Sequence, residues 1–370
     1  MKKIGILTQP LINNYGGILQ CIALYNYLTE KGYEVTIIQK HLYNPLWKKI
    51  IIKALELIPN QNYRGFRNRA KQYKTHKIFI DHYIPNKTKI IYTHNSLIKI
   101  AKNYQFDVVI VGSDQVWRMA YINDPFYAAY FLNFVDSISC KKIAYAASFG
   151  KNHWETPEKI SEISHLLADF TAISVRESSG VKICNDIFNY TSATHVLDPT
   201  LLINPKFYQQ FIAKRQEKNN VKKLLTYVLD ESENKKVIIK NIKKSLGENI
   251  STQHLLGFNK HEIITIPEWL TAFYNADFII TDSFHGMVFS IIFNKQFLVI
   301  GNNERGMERF VSLLSLLKLK DRLIISGEIS NNFNMNKREK INYSLVNKIV
   351  SENRKNSEKF LNSINDDTGI

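Results

Sequence analysis

Residues 276–301, ADFIITDSFHGMVFSIIFNKQFLVIG, give the clearest indication of the fold. They begin with a short apolar run, Phe278–Thr281, which has the length of a buried strand. Small and polar residues follow, then a helix-like apolar stretch, and then a second strand at residues 297–300. Open α/β sheets bind ligands where a strand feeds a helix through a polar turn, because the helix N-terminus offers N–H groups and a partial positive charge.

Strands and helices alternate along the rest of the chain. The first series has predicted strands at residues 4–8, 35–39, 108–111, 143–147, 172–175 and 195–197, with a helix at 19–30. The second has strands at residues 223–229 and 251–256 and helices at 237–246 and 267–275. Such alternation is typical of parallel sheets. We therefore predict an α/β fold with two doubly wound, Rossmann-like domains facing a cleft, at residues 1–200 and 201–345, and a helical tail at 346–370.

Composition fits this class. The chain has 370 residues, enough for two domains, and 45% of them are hydrophobic and 12% aromatic. No apolar run is long enough to span a bilayer, so we expect a cytoplasmic protein. The three cysteines lack metal-ligand spacing and are expected to be small buried apolar residues. No Asp-x-Asp turn follows a predicted strand, and we expect no metal and no cofactor.

Positive charge is concentrated in one segment. The net charge of the chain is +16, and residues 40–102 contain fourteen lysines and arginines but only two acids, a net +12. We interpret this segment as a basic insertion in the N-terminal domain. An anionic partner such as membrane lipid, nucleic acid or a polyanionic substrate would explain it, and so would a solvated basic face.

Two turns of the N-terminal domain are candidates for binding a sugar, which would be the acceptor substrate of a transfer reaction. The first, NNYGG at residues 13–17, lets backbone approach a ligand at Asn14, Tyr15 and Gly16. It has neither GxGxxG nor P-loop spacing, which argues against a dinucleotide or P-loop site. In the second turn, Asp114 is placed to take a proton from a sugar hydroxyl and Trp117 to stack on a sugar ring. The alternatives are a glycine turn without function, a capping residue and a core tryptophan.

The strand ends also carry charge that suits an anionic small molecule. Arg176 and Glu177 follow the strand at residues 172–175, and the arginine either faces the crevice or pairs with neighbouring acids. His285 lies in the turn that opens this section, with Ser283 before it and Arg305 and Arg309 beyond the next strand. Binding an anionic small molecule with a Kd of ~0.1 mM needs a binding free energy of ~5.5 kcal/mol. An exposed helix terminus supplies ~0.3–1 kcal/mol, so two or three charge-assisted hydrogen bonds of ~1.5–3 kcal/mol must supply the rest.

Five motifs in order then resemble a known family. They are NNYGGILQCIALYNYL (residues 13–28), VVIVGSDQVW (108–117), AISVRESSG (172–180), VLDPTLL (196–202) and TDSFHGMVFSIIFNKQFLV (281–299). Together they resemble the bacterial polysaccharide pyruvyl transferases over roughly residues 4–322. The resemblance implies a fold similar to the GT-B glycosyltransferases. It also implies phosphoenolpyruvate as the donor and a hexose of a polysaccharide, or of its lipid-linked precursor, as the acceptor.

The resemblance assigns roles by position. Ser283, His285 and Arg305 or Arg309 would hold the phosphate and carboxylate of the donor, with Arg176 as a further candidate. The reaction would form a cyclic pyruvate ketal on two hydroxyls of one sugar, and it needs a base for the hydroxyl and an acid near the methylene carbon. Asp114 or Glu177 is the candidate base, and Asp282 or His285 the candidate acid.

Residues 44–59 have the pattern of a basic amphipathic helix. Apolar residues recur there at helical spacing with lysines between them, and Asn44, Pro45 and Pro59 bound the run. Such a helix either lies on an anionic membrane and meets a lipid-linked sugar, or packs on the N-terminal domain.

Two rival functions remain open at this point. A glycosyltransferase of the same fold would use a nucleotide sugar, and Glu304 or Glu308 would contact its ribose. A nucleic-acid-binding protein is suggested by Tyr63, Phe66 and Tyr73 within the basic segment. We expect no nucleic-acid partner, because that function leaves the SFHG turn unexplained.

Overall fold

A computed structural model describes residues 1–43, 46–58, 64–122, 125–213, 221–247, 249–256, 263–301, 306–325 and 339–365. The chain forms two compact units. The first unit comprises Met1–Ile51, Ile78–Ile203 and Ser351–Ile370, and the second comprises Ile52–Lys77 and Asn204–Val350. This division differs from the predicted ranges in two places, since part of the basic segment belongs to the second unit and the C-terminal residues join the first.

The first unit is built on a six-stranded parallel sheet. Its strands are β1 (Lys3–Leu7), β2 (Glu34–Ile38), β3 (Val108–Val111), β4 (Lys141–Ala147), β5 (Ala172–Val175) and β6 (Thr194–His195). Their order is β2-β1-β3-β4-β5-β6, so the chain leaves β1 in one direction for β2 and later returns on the other side as β3. The carboxyl ends of β1 and β3 therefore mark a topological switch point, which we call the first switch point.

The second unit repeats this plan with a five-stranded parallel sheet. Its strands are β7 (Lys222–Val228), β8 (Ile250–Leu256), β9 (Phe278–Thr281), β10 (Gln296–Ile300) and β11 (Leu323–Ile324). The order β11-β10-β9-β7-β8 reverses between β7 and β9, whose carboxyl ends form the second switch point. Two Rossmann-like domains are thus confirmed.

The helices follow the strands as the alternation predicts. In chain order the α-helices of the described residues are α1 (Tyr15–Glu30), α2 (Leu46–Leu57), α3 (Arg64–Tyr83), α4 (His94–Tyr104), α5 (Ile160–Ala168), α6 (Ser178–Asp186), α7 (Pro199–Leu202), α8 (Lys206–Gln209), α9 (Glu233–Leu246), α10 (Ile266–Asn275), α11 (Phe284–Ile292), α12 (Met307–Leu316) and α13 (Tyr343–Leu361). Helices α2, α3 and α13 contribute residues to both units.

An aspartate anchors the strand at each switch point to the first strand of its unit. The carboxylate of Asp107 accepts from the backbone N–H of Lys3 (2.7 Å), and that of Asp277 accepts from Lys223 in the second unit (2.8 Å). In both cases the aspartate N–H also donates back to the carbonyl of the same lysine, at 2.9 Å. This repeated contact sets the register of β1 against β3 and of β7 against β9.

The glycine turn after β1 is shorter than the sequence suggests. Helix α1 begins at Tyr15, so Gly16 and Gly17 are buried helical residues and not loop. Asn14 is the N-cap, and its side-chain oxygen accepts from the N–H of Gly17 at 3.1 Å. A Cβ on Gly17 would lie 2.9 Å from the Asn14 amide nitrogen, so this glycine makes room for the cap.

The C-terminal helix makes hydrogen bonds and a ring contact within the first unit. Beyond Ser351 its residues pack on the first unit, where the Ser357 hydroxyl accepts from the N–H of Leu197 at 3.0 Å. Arg354 donates from Nε to the carbonyl of Leu201 at 2.9 Å, and the Phe360 ring lies against Tyr145.

The cysteines lie in or beside the core, as expected from their spacing. Burial raises the pKa of the Cys21 and Cys184 thiols to about 12, and both side chains are fully buried. Cys140 is half-buried. In the part of the chain that the structure describes, no helix is long and apolar enough to cross a membrane.

Candidate functional site

Asp114 lies at the first switch point, directly beyond β3. Its Oδ2 accepts from the side-chain amide of Asn14 (3.2 Å), which caps α1 beyond β1. Its Oδ1 accepts from the N–H of Gln115 at 2.9 Å. Asp114 has a φ of +76°, in the left-handed region. Such backbone costs ~1–3 kcal/mol and clusters at functional sites. The structure thus brings two predicted site residues, Asn14 and Asp114, into contact.

Arg176 joins this cluster as an ion-pair partner of two carboxylates. Its guanidinium donates to Asp198 (2.8 Å) and to Asp114 (3.2 Å), and all three side chains are buried. Burial lowers the pKa of Arg176, but the carboxylates of Asp198, Asp114 and Glu177 raise it more, so its pKa lies above the ordinary value. Of the two alternatives for Arg176, the structure places it in pairing with neighbouring acids, where it positions Asp114.

Asp198 was missed as a site residue. It caps α7 by accepting from the N–H and the hydroxyl of Thr200 (2.9 and 2.6 Å) and lies 3.4 Å from the hydroxyl of Ser113. The signal for it was present in the VLDPTLL motif, where an aspartate before proline is placed to cap a helix. Its link to Arg176 was not readable, because β5 and β6 must first pair to bring the two side chains together.

Glu177 forms hydrogen bonds to residues that follow β4. Its Oε1 accepts from the Ser148 hydroxyl (3.1 Å) and from the N–H groups of Phe149 (2.8 Å) and Gly150 (2.9 Å). The carboxylate is fully buried and holds the loop that follows β4. Glu177, predicted as a catalytic base, therefore acts in the structure as a backbone anchor.

Trp117 does not offer a sugar-stacking face, contrary to the prediction. Its indole is 0% exposed, stacks on Phe131 with centroids 5.7 Å apart and donates from Nε1 to the carbonyl of Tyr130. Tyr15 is likewise buried in the first turn of α1. An aromatic residue near a strand end is suited both to packing in the core and to binding a ligand. Trp117 packs against other aromatic rings behind the turn, so it belongs to the core.

Asp282 occupies the second switch point but is engaged by its own unit. Its carboxylate accepts from the N–H groups of Leu229 (2.7 Å) and Asp230 (3.2 Å) beyond β7, and it pairs with Lys235 of α9 at 2.7 Å. Both charged side chains are buried. Asp282, predicted as a candidate acid, thus ties β9 to the loop after β7.

Ser283 and His285 form the beginning of α11. The Ser283 hydroxyl caps the helix by accepting from the N–H of Gly286 at 3.3 Å. His285 follows within the first turn, buried to 5% exposure, with its ring against Phe284. A Cβ on Gly286 would lie 2.3 Å from the hydroxyl of Thr281, so the SFHG turn requires glycine for a close approach of helix and strand.

Arg309 lies close to this helix start. Its guanidinium carbon is 5.1 Å above the Phe284 ring, and its Nε donates to the carbonyl of Gly306 at 3.4 Å. The same unit therefore brings Ser283, His285 and Arg309 to one region beyond β9. Arg305 and Glu304 lie outside the described residues, and Glu308 is in the first turn of α12.

The described residues contain no group of three or more histidine, cysteine, aspartate or glutamate side chains arranged to hold a metal ion.

Several solved structures match nearly the whole length of the chain. One is Arabidopsis thaliana UGT89C1 complexed with UDP-L-rhamnose (8% identity, 98% of this chain and 97% of that chain, TM-score 0.52). Acinetobacter baumannii MurG (10%, 99% and 98%, 0.46) and S. aureus MnaA with UDP (12%, 98% and 91%, 0.48) also match. With the two parallel sheets, the first of these likenesses shows a GT-B-like fold.

Sequence comparison places the chain more narrowly. No protein among the curated ones matches it closely enough to count as a relative. The profile described as Polysaccharide pyruvyl transferase matches residues 14–304, which run from the Asn14 cap to beyond the SFHG turn. This range contains the carboxyl ends of β3, β7 and β9, four of the five motifs that carry the resemblance, and all of the remaining motif (residues 13–28) except its first residue. The chain therefore belongs to the polysaccharide pyruvyl transferase family.

Proposed function

We propose that the protein transfers pyruvate from phosphoenolpyruvate to a hexose of a cell-surface polysaccharide or of its lipid-linked precursor, forming a cyclic ketal. The observation that carries the proposal is the arrangement beyond β9, where a helix start, a histidine and an arginine lie together within one unit. Family membership supports pyruvyl transfer in general, and the chemistry of the site supports this donor.

The donor is assigned to the second unit. Phosphoenolpyruvate carries a phosphate and a carboxylate, which need cationic partners and N–H donors. The start of α11 supplies a helix N-terminus, and His285 and Arg309 supply positive charge when the imidazole is protonated. Arg305 stays a candidate for the same role. Ser283 helps by holding the first turn of the helix.

The base is assigned to Asp114 of the first unit. This carboxylate lies at a switch point, where doubly wound sheets bind their ligands, and Asn14 and Arg176 fix its orientation. We now assign Arg176, Glu177 and Asp282 supporting roles, since each is held by partners within its own unit.

The reaction balances with one acid and one base. His285 as imidazolium protonates the methylene carbon of phosphoenolpyruvate, which becomes the methyl group. A sugar hydroxyl attacks the second carbon and gives its proton to Asp114, and the bond from that carbon to the phosphate oxygen breaks. A second hydroxyl of the same sugar then forms the second C–O bond of the ketal and gives its proton to the neutral imidazole of His285, while Asp114 passes its proton to the leaving phosphate. The two hydroxyl protons end up in the methyl group and on the phosphate.

Thermal shift with a panel of ligands tests the donor. Phosphoenolpyruvate at a hundred times its Kd is expected to stabilise the protein by ~2.7 kcal/mol. His285→Gln and Arg309→Lys should each lose most of this shift, because they remove the imidazolium and the planar guanidinium. His153→Ala is the matched control, since His153 is exposed in the first unit.

The same panel separates the rival functions. Stabilisation by UDP-sugars without an effect of phosphoenolpyruvate would favour a nucleotide-sugar glycosyltransferase, and stabilisation by single-stranded oligonucleotides alone would favour nucleic-acid binding. Phosphate release that depends on an added glycan acceptor, followed by detection of the ketal on the product, then tests the transfer itself.

A further inference from the structure

Helix α2 presents apolar side chains to solvent along its length. Trp47 is 63% exposed, Ile50 67% and Leu57 83%, and Ile51 and Ile58 are also exposed. Monomeric soluble proteins rarely expose large side chains in a continuous row, so such a patch indicates a binding surface.

The exposed side chains share one face of the helix. At ~100° per residue, the apolar residues 47, 50, 51, 54 and 57 lie within an arc of about 120°. Lys48 and Lys53 are exposed and lie on opposite flanks of this arc. Ile52, Leu55 and Glu56 are half-buried and lie on the other side, facing the protein. The helix is thus amphipathic with its apolar face exposed to solvent, a pattern that packing against the rest of the described chain does not explain.

The flanking charges identify the partner. An apolar stripe edged by lysines matches a surface that is apolar inside and anionic at its boundary, as a membrane with acidic lipids is. Pairing with a second copy would bring the lysines of two identical faces together. The 12 residues of α2 span ~18 Å, too short for a hydrocarbon core of ~30 Å. A helix of this length cannot span a bilayer, so it would bind by lying along the bilayer surface.

We propose that α2 docks the protein on an anionic membrane surface, with Trp47, Ile50 and Leu57 entering the acyl boundary and Lys48 and Lys53 among the headgroups. Tryptophan suits this depth because its ring is apolar and its N–H polar. The inference holds whatever group the enzyme transfers.

Tryptophan fluorescence reports the contact directly. All four tryptophans lie in the described residues, and Trp117, Trp154 and Trp269 are buried. Vesicles of phosphatidylcholine with phosphatidylglycerol should therefore blue-shift the emission of Trp47 and shield it from acrylamide. Pure phosphatidylcholine should do so much less, and Trp47→Phe should abolish the shift while retaining co-sedimentation.

Charge and apolar variants separate the two contributions in co-sedimentation of the full chain. Lys48→Glu with Lys53→Glu should weaken binding by at least about 25-fold, about fivefold for each positive charge lost, and the new carboxylates add repulsion from the anionic headgroups. Ile50→Ser with Leu57→Ser should weaken it by about tenfold for each side chain. Helix α9 supplies matched controls with the same changes at exposed positions, Lys240→Glu with Lys244→Glu and Val237→Ser, which should bind as the native chain does.

Two outcomes would overturn the proposal. One is vesicle binding that the α2 variants leave unchanged. The other is a concentration-dependent dimer that loses its stability in Ile50→Ser with Leu57→Ser, without any vesicle-induced change at Trp47. Pyruvyl transfer to a water-soluble acceptor should be the same in all these variants, so failure of the docking and failure of the proposed reaction are distinguishable.

Discussion

The two switch points share one backbone plan and differ in charge. In each unit an aspartate-anchored central strand ends in a small polar turn that carries a buried carboxylate, Asp114 in the first and Asp282 in the second. Asp114 and Asp198 share the guanidinium of Arg176, so these three groups carry a formal charge of −1. Asp282 and Lys235 form a neutral pair, beside which His285 and Arg309 can add positive charge.

Under the proposed function, this difference in charge fits the two switch points to two different ligands. An excess of carboxylate at a strand end suits a hydroxyl that must lose a proton, and an excess of cation suits a phosphate and a carboxylate. The two aspartates differ in net charge because of their partners: Asp114 shares a guanidinium with a second acid, whereas Asp282 has an ammonium of its own. Substitutions at the two aspartates should therefore have opposite consequences for stability and activity.

The largest expected effect on stability is at the second switch point. Asp282→Ala leaves the buried ammonium of Lys235 without this carboxylate and removes the acceptor for two backbone N–H groups. Removing one partner of a buried pair costs ~3–5 kcal/mol in the free energy of unfolding, measurable by urea titration. Adding Lys235→Met should recover part of the loss. The exposed Asp186→Ala is the control, expected within ~0.5 kcal/mol of the native chain.

At the first switch point we expect the reverse. Asp114→Asn should lower the rate of acceptor-dependent phosphate release by at least about a hundredfold, ~2.7 kcal/mol of transition-state stabilisation. Its stability should fall less than that of Asp282→Ala, because Arg176 keeps its pair with Asp198. Loss of stability equal to that of Asp282→Ala, or an unchanged rate, would break the comparison and remove Asp114 as the base.

A steric prediction tests the close approach at the SFHG turn. Gly286→Ala places a Cβ 2.3 Å from the Thr281 hydroxyl and 3.1 Å from the Tyr227 ring, so it should cost ~1–3 kcal/mol of stability. Gly65→Ala is the matched control within helix α3, where a Cβ meets nothing within 4 Å. That change should stabilise by up to ~1 kcal/mol. Equal effects in urea titrations would show that the turn tolerates a side chain.

How far the sequence predicts this site depends on the range of each contact. Strands β3, β5 and β9 were predicted to the residue, since a buried parallel strand is a short apolar run bounded by polar residues. The start of the following helix at Ser283 is also predictable from local sequence, because polar residues separate the apolar run of the strand from that of the helix. The ion pairs are not, because Arg176 and Asp198, or Lys235 and Asp282, meet only after the sheet order is set. The local sequence pattern thus predicts where the switch points lie. Which side chains take part in the reaction depends on ion pairs between residues far apart in the sequence.

The smallest expected effect concerns pH and the support behind Arg176. His195 at the end of β6 has its Nε2 at 3.0 Å from the carbonyl oxygen of Arg176. Burial lowers the pKa of His195 below its ordinary 6.5, although this hydrogen bond raises it somewhat. The unfolded chain therefore binds the proton first as the pH falls. Stability from neutral His195 is present above pH 6.5 and is lost as the pH falls through the lower, folded-state pKa.

His195→Gln should flatten this dependence, since glutamine keeps an N–H donor but does not titrate. Urea unfolding on both sides of the window measures the slope of free energy against pH. The variant should lose less stability than the native chain on acidification, with His153→Ala again as the exposed control. A slope unchanged by His195→Gln would assign the acid sensitivity to other groups. In that case, neutral His195 would not be needed to keep the ion pairs of Arg176 at the first switch point.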